Sequence, residues 1–449
     1  MDLIGPRSRA YAERARRRVA GLSSSPARDV SAVGLSHPVV GAAGRGAYIT
    51  DVDGRRYIDY LQAFGPGILG HGHPGVTAAA AAALADGPVW GIPAPSEARL
   101  AEALAEAVPS MARIRFTASG TEAVMSAVRL ARAATGRTLV VKFDAGYHGH
   151  ADVVLGQTGS AAAHAGADGD EAPAGVPADV LRHTATLTWN DAEGLERYLA
   201  CRGREVAALL VEPVAGNIGI VPPDPAFVRA LNRARETGAL VIADEVVSAF
   251  RFRYGAAQDL VGLRADLTCV GKIVGGGLPI GAYGGSEELM RLVRPEGPVF
   301  QAGTYAGHPV ACAAGLAALT ALARPGVYET LEERGFTLAE GLRRAAREAG
   351  WPVTLSRVGG AFTLWPGRDE TLLGPVRTAE DVEATDADAF AALYRSLLAH
   401  GVLLPPSRFE AWLVTLAHDA GVVAETLERA AAAFASMGAA GARPATADR

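Results

Sequence analysis

The sequence is poor in cysteine, in charge and in long apolar runs. Its three cysteines, Cys201, Cys269 and Cys312, are an odd number without metal-type spacing, which excludes a disulfide framework and predicts buried thiols in a reducing compartment. Charged residues make up 20% of the chain and the net charge is −5, so neither nucleic acid nor an anionic membrane is an expected partner. The Arg-rich start from Arg14 to Arg18, partly balanced by Asp2 and Glu13, reads as a surface helix. Apolar stretches such as Ala78 to Leu84 fall far short of the roughly 18 residues a membrane span needs. No signal-peptide pattern precedes them, and the expected location is the cytoplasm. No internal repeat is visible.

What is present is apolar content of 49% over 449 residues, enough for two domains around a large core. The middle third alternates β-branched runs with helical runs, the pattern of an α/β fold with a mostly parallel sheet. Strands are expected at Thr138 to Phe143, Ala207 to Glu212, Ala239 to Asp244 and Leu267 to Gly271, with helices over Thr121 to Ala134 and Asp224 to Thr237. A large domain is placed at 71–320. Residues 1–70, with a hairpin turning at Asp53-Gly54, and residues 321–438, with a strand at Gly360 to Trp365, together form a smaller α+β domain. Gly156 to Ala178 reads as a long lid-like loop, and 439–449 as a loose tail.

Three places carry chemistry. The run Ser119-Gly120-Thr121-Glu122 leads from an apolar stretch into a helix. It reads either as a capping box or as a phosphate site, where free N–H groups and the helix dipole favour an anion. Asp244 ends an apolar strand, where a buried carboxylate needs a cap, a loop or a cationic partner such as a protonated pyridine nitrogen. Lys272 stands between apolar residues and the glycines Gly275, Gly276 and Gly277, surroundings that desolvate an amine and make it nucleophilic. His148 and His150, at i and i+2 without a third ligand, are assigned to shaping a loop, and no metal is expected.

Taken in order, Ser119 to Ala123, Lys142 to Asp152, Val211 to Asn217, Asp244 to Val246, the Lys272 segment and Gln301 to Thr304 resemble the class III aminotransferases, most of all the glutamate-1-semialdehyde 2,1-aminomutases, over about residues 20 to 435. The resemblance implies the aspartate-aminotransferase-like fold type I, with a mostly parallel central sheet covered by helices on both faces. It implies pyridoxal 5'-phosphate (PLP, cycling with its amine form, PMP) as cofactor and a small-molecule amino donor and acceptor as substrates. Ser119, Gly120 and Thr121 would hold the phosphate. Tyr147 and Val246 would cover the two ring faces, Asn217 would bind the ring oxygen with Glu212 beside it, and Asp244 the ring nitrogen. Lys272 would attach the cofactor covalently and move protons. Thr304 would reach the phosphate of a neighbouring subunit, which implies a homodimer with shared active sites.

On the substrate side, Ser25 and Arg28 resemble the segment that grips a carboxylate, a task that suits a bidentate guanidinium. Glu410 matches a family glutamate near the substrate. The alternative reading of either charged residue is an exposed surface charge. Phe64 stands where the aminomutases have tryptophan and Phe300 where they have tyrosine, so two polar donors are gone. Ala118 and Tyr305-Ala306-Gly307-His308-Pro309 also depart, and the lid after Ser160 has lost the family wording. These departures favour a two-substrate aminotransferase, in specialised metabolism, over an aminomutase. A non-catalytic regulator is disfavoured because Lys272 is kept and no basic recognition helix is evident.

Overall fold

The computed structural model describes residues 3–156 and 173–439. Its central sheet has seven strands in the order Arg113–Thr117, Gly281–Gly285, Leu267–Gly271, Leu240–Asp244, Val206–Val211, Leu139–Phe143, Thr184–Leu187. Gly281–Gly285 runs antiparallel to both neighbours and the remaining pairings are parallel, as the sequence pattern led us to expect. Successive side chains on a strand point to opposite faces. Accordingly Val141, Phe143, Leu209, Val211, Val241 and Ala243 enter one core with Trp189 and Phe227, whereas Val140, Ala208, Leu210 and Ile242 enter a second with Val124, Ala127 and Leu130. Burial on both faces is why these strands read as unbroken apolar runs.

Helix Gly120–Thr135 covers the second face. Its Ser119 cap Oγ accepts the Glu122 N–H at 3.2 Å, worth about 1 kcal/mol, and Gly136 ends it in the left-handed region at φ 67. The expected helix from Asp224 is α only over Pro225–Arg233 and closes as a 3-10 turn at Ala234–Thr237. The Arg-rich start does form a helix, Pro6–Arg16.

The two flanks meet. Tyr48–Asp51 and Arg56–Asp59 form the expected hairpin, with Gly54 at φ 86 in its turn, and Val402–Leu403 pairs parallel with Ile58 and Asp59. Residues from both flanks, such as Val33, Ile58, Leu338, Leu397 and Phe434, share one core. Helix Ala420–Ala439 reaches the start of the expected tail, which otherwise lies outside the described residues, as does most of the expected lid loop. The expectation of buried thiols needs one correction. Cys269 and Cys312 are buried but Cys201 is exposed, because its helix turns Leu195 and Leu199 inward instead.

Candidate active site

In a parallel sheet the carboxyl ends of the strands open into a common crevice, and the predicted chemistry gathers there. Ser119 follows strand Arg113–Thr117, Asp244 ends its own strand, Glu212 follows Val206–Val211, Tyr147 and His148 follow Leu139–Phe143, and Lys272 follows Leu267–Gly271. Together with Gly120, Thr121, Asn217 and Val246 they line an inner compartment of about 390 Å³, a size ordinary for a small-molecule site.

At one end of this compartment the Gly120 helix presents its first turn, whose N–H groups have no carbonyl one turn earlier. Ser119 caps the helix, but the Glu122 carboxylate accepts the Ala118 N–H at 2.9 Å instead of that of Ser119, so the expected capping box is only half formed; Ser119, Gly120 and Thr121 also line the cavity. A Cβ at Gly120 would lie 2.9 Å from both Val246 methyls, so the glycine keeps open the slot between the helix and the Val246 face.

Glu212 organises the opposite wall. Its buried carboxylate accepts from the Tyr147 N–H (2.9 Å), the Gly216 N–H (2.7 Å) and Asn217 Nδ2 (2.6 Å), fixing the two residues expected at the ring. Burial pushes its pKa above the usual carboxylate range, against donors that pull it down.

Asp244 is buried and accepts the Val246 N–H at 3.1 Å through Oδ1 and His148 Nδ1 at 2.8 Å through Oδ2. The sequence pattern assigned His148 to loop shaping and missed this contact. Its only trace was a polar residue next to Tyr147, and pairing across 96 positions leaves no local signal. His150 stays on the exposed side, 3.4 Å from Thr121 Oγ1.

Burial holds Lys272 below the ordinary lysine pKa; Glu410, Glu212 and Asp244 pull it back up, and Arg251 pushes it further down. Its amine therefore gains neutral, nucleophilic character. An outer compartment of about 490 Å³ adjoins it, sharing Tyr147, Asn217, Val247 and Lys272 and adding Ser25, Leu61, Phe64, His150, Leu155, Ile220, Glu410 and Leu413. The wall is mostly apolar, with Glu410 as an acid facing Lys272.

The structure does not bring together every expected substrate residue. Ser25, Phe64 and Glu410 line the outer compartment. Arg28 belongs to the same short turn, Pro26–Arg28, but is exposed at its end and lines neither compartment. Phe300 is 64% exposed and Thr304 is exposed too. Their segment is held on the outer face, where Arg129 Nη1 donates to the Phe300 carbonyl at 3.1 Å and Arg115 Nε to Gln301 Oε1 at 2.7 Å. Ser160 lies outside the described residues.

These features fit a flat, phosphorylated, cationic heteroaromatic cofactor: a helix N-terminus opened by Gly120, a slot bordered by Tyr147 and Val246, a buried Asp244 and a desolvated lysine. Comparison with known proteins agrees. The family described as Aminotransferase class-III matches residues 30–393. An omega-transaminase from Sphaerobacter thermophilus superposes with a TM-score of 0.85 at 33% identity, over 96% of this chain and 97% of that one. A β-phenylalanine aminotransferase from Variovorax paradoxus gives 0.85 at 30% identity, over 98% and 95%. A glutamate-1-semialdehyde aminomutase from Pseudomonas aeruginosa PAO1 gives 0.81 at 25%, over 96% and 94%. The chain therefore belongs to the class III aminotransferases, of fold type I, and its cofactor is pyridoxal 5'-phosphate.

Proposed function

We propose that this enzyme is a two-substrate aminotransferase of the aminomutase-like subgroup, moving an amino group between a small carboxylate-bearing amine and a carbonyl acceptor. The observation that carries it is the outer compartment, where Leu61, Phe64, Leu155, Ile220 and Leu413 form a largely apolar wall beside Lys272. The named transaminases are also more similar, at 33% and 30% identity, than the aminomutase at 25%.

The bound cofactor supplies an aldehyde and an electron-withdrawing ring. Lys272 Nζ would attach it, yield to the substrate amine and then carry the proton from the substrate carbon. Asp244, backed by His148, would keep a positive ring nitrogen paired, and Ser119, Gly120 and Thr121 would take the phosphate. Tyr147 and Val246 would hold the ring between them, and Asn217, held by Glu212, would meet its oxygen. Ser25 and Phe64 would shape the substrate compartment, Arg28 would receive the carboxylate at its rim, and Glu410 would face the arriving ammonium.

The working form is proposed to be a cytoplasmic homodimer. Helix Pro74–Ala85 is apolar yet only Val76 is buried, and Leu84, Trp90, Ile92, Phe300 and Tyr305 are exposed. A second copy covering them would bring Thr304 and Phe300 to a shared site. The domain division at 70/71 and 320/321 belongs to the same reading.

Two measurements test the reading. Borohydride reduction of the holoenzyme followed by peptide mass analysis is expected to label Lys272, and labelling of another lysine would refute the assignment. Glutamate-1-semialdehyde supplied alone is expected to turn over slowly, with faster reaction on a donor and acceptor panel. Rapid 5-aminolevulinate formation without a second substrate would instead identify an aminomutase.

A further inference from the structure

Arg251 is a buried cation that has appeared so far only as a neighbour lowering the Lys272 pKa. It is 1% exposed, and among the described residues its Nε and Nη1 are buried without a hydrogen-bond partner. Burial lowers its pKa to about 10. A guanidinium kept in such a place needs a reason, because desolvating a charge is unfavourable unless it is paired.

Among the described residues the one hydrogen bond of the guanidinium runs from Nη2 to the carbonyl of Gly65. Gly65 closes a run of four consecutive residues with positive φ: Gln62 at 44, Ala63 at 53, Phe64 at 61 and Gly65 at 134. The first three are not glycine, and side-chain-bearing residues populate this region only when their surroundings hold them there. The entrance of the run is held by Gln62, whose Nε2 donates to the Asp59 carbonyl at 2.7 Å. The exit is held by Arg251.

What the run positions is the site itself. Phe64 lines the outer compartment, and a Cβ on Gly65 would stand 2.8 Å from Lys272 Cδ and 3.5 Å from Nζ. Arg251 in turn is fixed relative to Asp244 and Val246. The buried Glu245 carboxylate accepts the Gln258 N–H at 2.7 Å, the Ala257 N–H at 3.0 Å and the Ser248 hydroxyl, locking the segment that carries all three. We infer that Arg251 is a positioning residue: through the Gly65 carbonyl it clamps the strained 62–65 turn onto the cofactor-binding strand end, and so fixes the Phe64 wall and the seat of Lys272.

Electrostatics act in the same sense. Lys272 is faced by Glu410, Glu212 and Asp244, which favour its charged form, and by Arg251, which opposes it; Arg251 is itself faced by Tyr328. Removing the guanidinium therefore favours protonation at Lys272.

The inference rests on Lys272 as the cofactor-binding lysine, which borohydride labelling tests separately from anything done at Arg251. The experiment compares PLP-loaded wild type with Arg251→Met, Arg251→Gln and Arg251→Lys by pH titration of the bound cofactor's visible absorbance, and by KM and kcat for one amino donor. Arg251→Met is expected to raise the titration midpoint by about one pH unit and KM by about tenfold, with a smaller effect on kcat. Arg251→Gln removes the charge, and its amide ends where Nε stands, two bonds short of the Nη2 that reaches the Gly65 carbonyl, so midpoint and KM both change as in Arg251→Met. Arg251→Lys keeps the charge and brings a donor nearest to Gly65, so the midpoint stays near wild type and KM recovers toward it. A purely structural role would lower the melting temperature of all three without this division. Arg251→Met with wild-type midpoint and KM would overturn the inference. Should Arg251→Met fail to fold, Arg251→Gln decides by the same readouts: a raised midpoint and KM support the clamp, and wild-type values overturn it.

Discussion

His148 Nδ1 lies 2.8 Å from Asp244 Oδ2, with the two side chains 1% and 4% exposed. A carboxylate can only accept, so Nδ1 carries the hydrogen, and Oδ1 is steadied by the Val246 N–H. The histidine thus orients the carboxylate expected to pair with the ring nitrogen. A hydrogen bond to a charged group contributes about 1.5–3 kcal/mol. His148→Phe is therefore expected to weaken cofactor binding by about 10- to 100-fold, measured by titrating the apoenzyme with PLP. Unchanged affinity would leave His148 a packing residue only.

Gly120 offers a steric test of the phosphate end. Gly120→Ala puts a methyl group 2.9 Å from both Val246 Cγ atoms, and overpacking of this kind costs about 1–3 kcal/mol. PLP affinity is expected to fall by about tenfold or more while helix Gly120–Thr135, which tolerates alanine, keeps its circular dichroism signal.

Glu410 is the strongest of the acids that raise the Lys272 pKa. Replacing it with glutamine leaves a larger net depression. The fraction of neutral amine at a given low pH rises, so the acid limb of kcat/KM is expected to move to lower pH in Glu410→Gln. Movement to higher pH would mean that Glu410 acts on another group.

Lys142 makes a prediction about stability. Fully buried on its strand, it has its pKa lowered to about 7 by desolvation, with Asp144 pulling the other way. A cation whose folded pKa is depressed binds its proton more readily when unfolded, so wild-type stability declines as pH falls from about 10.5 toward about 7. Lys142→Met lacks this dependence. Its melting temperature relative to wild type is expected to be higher at pH 7 than at pH 10, and a constant difference would show that Lys142 does not titrate in this range.

The strand ends show how far sequence pattern reaches. Leu267–Gly271 was expected at its observed bounds, and the other three strands expected in the central sheet shift by one residue or so, because burial on both faces writes itself as an apolar run. Ser119, Asp244 and Lys272 were visible for the same local reason: each polar residue interrupts apolar surroundings at the end of a run. Arg251 drew no notice in a chain with many arginines, since its distinction is burial, and burial is settled by what packs over it. The left-handed residues Gln62, Ala63 and Phe64 gave no sign either. Nothing in their side chains asks for positive φ; the run is tied at its two ends by the Gln62–Asp59 and Arg251–Gly65 hydrogen bonds.

By itself, then, the sequence determined the α/β class and the family, and singled out the residues proposed to meet the cofactor, because these depend on local periodicity and on motifs of a few adjacent residues. Only the tertiary structure decided that His148 backs Asp244, that Glu212 holds both Tyr147 and Asn217, and that Glu410 and Phe64 border Lys272 while Arg28, Phe300 and Thr304 stay on the surface of the single chain. Apart from the Glu212–Asn217 bond, those relations join residues far apart in sequence. Hydrogen-bond geometry and desolvation act on distances in space, to which a one-dimensional pattern holds no ruler.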